Sequence, residues 1–446
     1  MTETIWFMTL FSQLFVIGFL VNQSVKHKIS QDKDGFGMKV FYKNLSRSDF
    51  KSALSNKLTI NSYLKLFSLV TLFASQSGFS APAIIPRAPE INATSYILLD
   101  AKTGRVIVEE NADEALPPAS LTKIMTSYIA IEEIMNDRLR LDDPVHISEK
   151  AWRMEGSKTF VGVDTQVQAE DLLRGIIIQS GNDASVAIAE HIAGSEEAFA
   201  DMMNQYAEAL GLEQSFFMNA SGLDTELYYN TMSARDLSIL ARETINRHAD
   251  FYPMYAEREF TYNGITQPNR NTLLFRDRNV DGMKTGWTDA AGYCLVASAE
   301  RDGMRLISVV MGTASEQARA VETQKLFTYG FRYFQTYKLY DSAQVLTNLP
   351  VSYGEKNAVD LGIEEEAYIT IPRGQSENLD ASIEISETIE APLSYGEVMG
   401  VVNVRLNDDL LYAAEVVAME DVPRGNLLKR FIDWITLLFS GFFQSN

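Results

Sequence analysis

"PPASLTKIMT", residues Pro117 to Thr126, decides how the rest of the chain is read. Two prolines close off whatever precedes them. Ser120 then stands near the first turn of an apolar run that predicts a helix from about Ser120 to Met135. Ser120 and Lys123 lie at i and i+3, so a helix sets both side chains on one face. A serine hydroxyl beside a desolvated amine is one way to build a nucleophile without histidine. The spacing alone is weak, because Ser30/Lys33, Ser48/Lys51 and Ser62/Lys65 share it. Those pairs fall in residues 1–81, which read as a leader; only Ser120 opens a helix beyond them.

Working outward, "TSYILLDAKTGRVIVEEN" alternates well enough for two strands about the turn "AKTG". "AEDLLRGIIIQSGNDASVAIAEHIAG" reads as a helix, a break at Ser180 to Asp183, and a second helix. "SEEAFADMMNQYAEALGL" is an amphipathic helix stopped by a glycine. "GYCLVASAERDGMRLISVVMG" is strand, turn and strand, and a helix from about Ser315 to Tyr333 follows. Strands, a helical block, strands and a helix make an α+β domain, placed at residues 88–338. From 339 to 421 the runs "AYITI", "ASIEIS", "EVMGVVNVRL" and "LLYAAEVVAM" are short and strand-like, which predicts a separate small all-β domain. In 422–446, Leu427, Leu428, Phe431, Ile435, Leu438, Phe439 and Phe442 recur at helical spacing, with Arg430, Asp433, Ser440 and Gln444 opposite. That length and polar face suit a helix lying on a membrane surface better than one crossing it.

Composition narrows the function. At 446 residues, 46% hydrophobic and 22% charged, the chain can bury more than one core. A net charge of -20 argues against nucleic acid as a partner. Cys294 is the sole cysteine, so no intramolecular disulfide can form. Basic residues from Lys39 to Lys65, the apolar run "LFSLVTLFA" and then "SAPAIIP" follow the order of a secretory signal, with Met38 a candidate true start. His146, His191 and His248 lie outside any hydrolase motif, and neither Gly-x-Ser-x-Gly nor His-Glu-x-x-His occurs. Neither a metal nor a cofactor is expected.

Two further motifs complete a set. Lys-Thr-Gly occurs at Lys102 to Gly104, the tip of the first hairpin, and again at Lys284-Thr285-Gly286. Between Ser120 and Lys284, "IIQSGND" supplies Ser180 and Asn182 at the helix break. The order Ser-x-x-Lys, Ser-x-Asn, Lys-Thr-Gly marks penicillin-binding proteins and class A β-lactamases. The stretch from about Ala88 to the C-terminus more closely resembles the D-alanyl-D-alanine carboxypeptidases of low molecular mass, penicillin-binding proteins of types five and six. "QPNRN", "NVDGMKTG", "MRLISVVMG", "YGFRYF" and "IPRGQ" carry the likeness beside the motifs.

The resemblance implies a penicillin-binding, β-lactamase-like transpeptidase domain, in which an antiparallel sheet carries a helical block. A small β sandwich and the amphipathic helix follow it. It implies a serine carboxypeptidase that removes the terminal D-alanine from peptidoglycan stem pentapeptides, binds β-lactams covalently, and sits on the periplasmic face of the inner membrane. Ser120 would attack, Lys123 take its proton, Ser180 pass a proton to the leaving group, and Asn182 orient Lys123 and the substrate amide. Lys284, desolvation and the helix N-terminus would depress the Lys123 pKa. Lys284 and Thr285 would meet the terminal carboxylate, Gly286 would let the strand approach closely, and backbone N–H groups of Ser120 and Trp287 would hold the oxyanion. Arg319 and Arg270 would lie at the carboxylate end, Arg319 in direct contact. Trp287 departs from the small or polar residue of the relatives and would narrow the cleft.

Two rivals remain. A class A β-lactamase needs a glutamate for the deacylating water, and "ELYYN", Glu226 to Asn230, echoes that element with a tyrosine in place of leucine. A catalytically idle wall-binding protein would keep the fold without needing Ser120, Lys123, Ser180, Asn182 and Lys284 intact.

Overall fold

The computed structural model describes residues 85–224, 229–385 and 389–444, and a two-residue pairing of Gln31–Asp32 with Gly35–Phe36. Met38 and the expected leader from Lys39 to Ala81 lie outside the described residues. The chain divides into two compact units. One holds residues 85–338, as far as they are described, together with Tyr368–Arg373, and the other holds the short pairing of residues 31–36, Leu339–Ala367 and the described residues from Gly374 on.

The first unit is built on a five-stranded antiparallel sheet. Its strands are β1 (Ser95–Asp100), β2 (Val106–Glu110), β3 (Val280–Thr288), β4 (Gly292–Arg301) and β5 (Met304–Thr313), in the order β2-β1-β5-β4-β3. β1 is buried at every position because both faces of the sheet are covered. Alternation sorts its side chains: Ile97 and Leu99 join the core under the helical block, while Tyr96 and Leu98 join a second core with Phe327 and Phe331. Those two phenylalanines come from the helix Glu316–Tyr333 that follows β5, capped at its start by Ser315 Oγ accepting from Ala318 N at 3.0 Å.

The helical block contains α1 (Lys123–Met135), α2 (Asn182–Ala193), α3 (Glu196–Ala209) and α4 (Ala234–Arg247). α1 is buried from Lys123 to Glu133, so it is a central helix wrapped on all sides. The expected start at Ser120 is refined: Ala119–Thr122 form a 3-10 turn and the α-helix begins at Lys123.

The second unit carries a five-stranded antiparallel sheet of β6 (Gln344–Pro350), β7 (Ala358–Ile363), β8 (Leu379–Ile385), β9 (Val398–Leu406) and β10 (Asp409–Ala418), in the order β6-β7-β10-β9-β8. It is the all-β domain expected from the sequence. The terminal helix runs Leu427–Gln444 instead of starting at 422. Val422 is extended and bridges Leu393, and Asn426 Oδ1 caps the helix by accepting from Lys429 N at 2.9 Å. Asp433 Oδ2 accepts from Tyr353 N at 2.8 Å, which ties the first half of this helix to the β domain. Among the described residues, no helix is long and apolar enough to cross a membrane.

Candidate active site

Three backbone devices bring the motif residues together. Ser120 rides the 3-10 turn, where Ala119 is held at φ 49°, a left-handed conformation costly for a residue with a Cβ. Ser180 ends a π-helical turn (Gly175–Gln179) and also sits left-handed, at φ 62°, before α2 opens at Asn182. The break is therefore narrower than the Ser180 to Asp183 read from the sequence. Lys284 and Thr285 lie on β3, the sheet's edge, whose outer backbone groups have no strand beside them among the described residues. Gly286 fits the strand against the serine turn: a Cβ there would stand 2.7 Å from the Pro118 carbonyl oxygen. The close approach expected of this glycine is thus to the turn that carries Ser120.

The two motif lysines are buried and held by hydrogen bonds. Lys123 Nζ donates to Ser120 Oγ at 3.0 Å, Asn182 Oδ1 at 2.7 Å and the Ser221 carbonyl at 2.5 Å. Burial pushes its pKa down to about 7, with the Arg270 charge adding to the fall and Asp183 and Glu196 opposing it. A neutral amine keeps two N–H groups. With those committed to Asn182 and Ser221, its lone pair faces the Ser120 hydroxyl. Lys284 Nζ donates to Ser180 Oγ at 2.8 Å and to the Thr285 carbonyl at 3.2 Å. Burial holds it well below an ordinary lysine, followed by repulsion from Lys123, Arg270 and Arg319. The two lysines repel each other, as the sequence reading had it, and Arg270 adds a second cation that the reading had not named for this role.

Arg319 is buried and its Nη1 donates to the Gly286 carbonyl at 3.1 Å, with the guanidinium 5.6 Å above the Tyr293 ring. It braces the Lys-Thr-Gly strand. Trp287 is half exposed at the cleft rim and leans on Tyr293, ring centroids 5.8 Å apart. Ser120, Ser157, Asn182, Leu223, Arg270 and Trp287 are among the residues around a cleft of about 650 Å³.

Some of the machinery escaped sequence reading. The Ser221 carbonyl that grips Lys123 is set by Asn219, whose Oδ1 accepts from Ser221 N at 3.1 Å and Gly222 N at 2.6 Å. Asn230 Nδ2 in turn donates to Thr122 Oγ1 and to the Asn219 carbonyl, each at 3.0 Å. The available signal was the Asn-Ala-Ser-Gly run, since asparagine side chains cap backbone turns two residues on. Asp183 accepts from the backbone N–H of Thr159 at 2.8 Å and Phe160 at 2.9 Å, fixing the facing wall. Glu226, weighed for a deacylating role, lies outside the described residues. His248 is a core residue with Nε2 2.7 Å from Glu132 Oε1, and His146 and His191 are exposed. Lys102-Thr103-Gly104 is a turn, with Asp100 Oδ1 accepting from Lys102 N at 2.9 Å.

Residues 83–315 match the family model described as D-alanyl-D-alanine carboxypeptidase. The chain belongs to that family. Residues 334–424 match the model of the penicillin-binding protein 5 C-terminal domain. The D-alanyl-D-alanine carboxypeptidase DacC of Escherichia coli is 42% identical over 382 residues, covering 84% of this chain and 94% of the relative. Penicillin-binding protein 5 of Haemophilus influenzae superposes with a TM-score of 0.72 at 41% identity, over 76% of this chain and 100% of that one. Penicillin-binding protein D2 of Listeria monocytogenes, solved in an ampicillin-bound form, matches at a TM-score of 0.51 and 29% identity, over 55% of this chain and 100% of that one.

For a serine-type carboxypeptidase, the depressed Lys123 pKa sets a pH dependence. On the expectation that Lys123 takes the Ser120 proton it must be neutral, so acylation by penicillin should rise with pH through about 7. Arg270→Gln removes a cation that favours the neutral amine, so the rising limb should move to higher pH. A pH–rate profile of acylation measures it; an unmoved limb would remove Arg270 from that role.

Proposed function

We propose that this cleft trims peptidoglycan stem pentapeptides to tetrapeptides through an acyl-enzyme on Ser120. The observation that carries it is the Lys123 amine, buried, 3.0 Å from Ser120 Oγ, with both of its neutral-state N–H groups accounted for. Ser120 Oγ gives its proton to Lys123 and attacks the carbonyl carbon of the penultimate D-alanine. The oxyanion rests on the backbone N–H groups of Ser120 and Trp287, the latter on the open edge of β3. As the C–N bond breaks, the Ser180 hydroxyl gives its proton to the leaving D-alanine nitrogen and is refilled by a proton from Lys284. Lys284 donates to that oxygen, which leaves the hydroxyl's own proton free to be passed on. Water then attacks the ester as it gives up a proton through Ser180 to the neutral Lys284, and Ser120 recovers its proton from Lys123. Lys284 and Thr285 receive the terminal carboxylate, and Arg319 supports it through Gly286 or by direct contact.

A β-lactam, whose carbonyl and carboxylate imitate the substrate, would acylate Ser120 and stay. Incubation with a pentapeptide should release free D-alanine, and benzylpenicillin added first should block the release while adding its mass at Ser120. Many penicillin turnovers per second would instead favour a β-lactamase.

We place the protein on the outer face of the inner membrane, exported by the leader in residues 1–81, with the β domain of 339–421 either positioning the catalytic domain of 88–338 or contacting partners. In support of a membrane-surface role for 422–446, Leu427, Leu428, Phe431, Ile432 and Trp434 of the terminal helix are all more than half exposed. Sedimentation with anionic lipid vesicles tests this: Phe431→Glu with Trp434→Glu should abolish binding, and equal binding by the double variant would rule the helix out as the anchor.

A further inference from the structure

We propose that the exposed face of the helix Glu316–Tyr333 binds an anionic amphiphile, a phosphoryl head on a hydrocarbon chain. The site goes beyond the peptidase reading, since it shares no lining residue with the cleft around Ser120. Two cavities meet on that face, and Gln324, Thr328 and Arg332 line both. The first, of about 530 Å³, has Pro86, Pro89, Val321, Tyr329 and Tyr333 in its walls. The second, of about 420 Å³, has Arg301, Arg332 and Arg373 together with Phe331. Each volume falls within the range of small-molecule sites, about 300–1,000 Å³.

The apolar cavity is held open by the chain that crosses the helix. Tyr329 Oη donates to the Pro86 carbonyl at 3.1 Å, Lys325 Nζ to the Glu90 carbonyl at 3.4 Å, and Asn92 N to Glu322 Oε2 at 3.2 Å. Pro86 and Pro89 stiffen the strap so fastened, which keeps it from closing onto the helix. The Tyr329 and Tyr333 rings have centroids 5.3 Å apart, and Val321 on the same face is exposed. Lys325 and Arg87 also line this cavity; Lys325 is paired with Glu322 at 2.8 Å, and the alkyl stems of both add apolar surface.

The second cavity is cationic in a chain of net charge -20. Arg373 is fixed by its backbone N, which donates to the Tyr333 carbonyl, and by its Nε, which donates to the Phe331 carbonyl, each at 2.9 Å. Its two terminal nitrogens are committed to no described residue. The Arg332 guanidinium stands 5.6 Å from the Tyr333 ring, where the two cavities join. Neither arginine forms an ion pair among the described residues. Two acids share the lining. Asp277 is occupied within the fold, its Oδ1 accepting from Asn279 N at 2.9 Å and its Oδ2 from Gln324 Nε2 at 3.1 Å. Asp302 lies 3.5 Å from Arg301 Nε and offsets that arginine alone. Arg332 and Arg373 are thus left to a ligand, and guanidinium forks match the oxygens of a phosphoryl group. A hydrocarbon chain on the same molecule would pass Arg332 into the apolar cavity.

Titration calorimetry tests this on a full-length parent carrying Phe431→Glu and Trp434→Glu, so that the terminal helix takes up no hydrocarbon. The probes are octyl phosphate, octyl glucoside and inorganic phosphate, the two octyl compounds below their micelle concentrations. Octyl phosphate should saturate a single site. The other two should each bind about tenfold more weakly or worse, because each lacks one half of the ligand. Arg332→Gln with Arg373→Gln should weaken octyl phosphate by about tenfold. Tyr329→Ala should weaken it by about fivefold and leave inorganic phosphate unchanged. Octyl phosphate bound equally by the parent and by either variant overturns the proposal. Inorganic phosphate bound as tightly as octyl phosphate also overturns it, since the chain would then contribute nothing. Octyl glucoside bound as tightly does the same, because hydrocarbon alone would be adsorbing. Benzylpenicillin should acylate every variant as it does the parent, which checks the fold. Arg332→Gln alone, at an exposed position, is read in the same way should the double arginine variant fail that check.

Discussion

Ser120→Ala should release no D-alanine from a pentapeptide and gain no mass from benzylpenicillin, and Lys123→Met should acylate roughly 10³–10⁴ times more slowly than the wild type. The serine variant removes the atom that becomes the ester oxygen, so no covalent step remains. The lysine variant keeps the oxygen but deletes the proposed acceptor for its proton, the amine 3.0 Å away. Methionine is close to lysine in length and apolar, so it fills the buried channel without a charge to desolvate. Asn182 Oδ1 and the Ser221 carbonyl lose a donor, a destabilisation of about 1–3 kcal/mol for each buried acceptor at most. The native fold should survive, and circular dichroism with a thermal melt checks that. Acylation of Lys123→Met within tenfold of the wild type would mean that some other group accepts the proton.

Gly222→Ala should be the most damaging single methyl in the catalytic unit. Gly222 sits at φ +71°, and a Cβ there would stand 1.9 Å from the Ala119 carbonyl oxygen and 2.6 Å from Thr122 Oγ1. Both atoms belong to the turn that carries Ser120. Left-handed strain and overpacking together should cost roughly 2–4 kcal/mol and lower Tm by about 5–10 °C. Relief of the clash must move either the serine turn or the Ser221 carbonyl, so acylation should fall by about 10²-fold even where the protein remains folded. A melt within 2 °C of the wild type, read as roughly under 1 kcal/mol, would show that the loop yields freely.

The motif lysine and serine were readable because their chemistry needs particular residue types at a fixed helical spacing, and Ser120 and Lys123 keep that spacing even though the first turn is 3-10 rather than α. The hairpin at Lys102 to Gly104 and the paired strands about Asp302 were readable from alternation and turn residues. β3 was harder. "VDGMKTGWT" has few β-branched residues, and it is a strand because β4 pairs along it and the serine turn packs against Gly286. The π turn ahead of Ser180 has no sequence signature of its own.

Local spacing and residue type thus sufficed to pick out Ser120, Lys123 and the two partner motifs that the structure brings together, since each needs only its own few neighbours to be recognised. The Lys123 environment could not be read that way. Its depressed pKa depends on burial under helices distant in sequence and on Arg270; its lone-pair direction depends on Asn182 and on a carbonyl 98 residues along the chain. Those contacts exist only once the chain has folded, because burial and pair distances are properties of the packed unit and not of any segment within it.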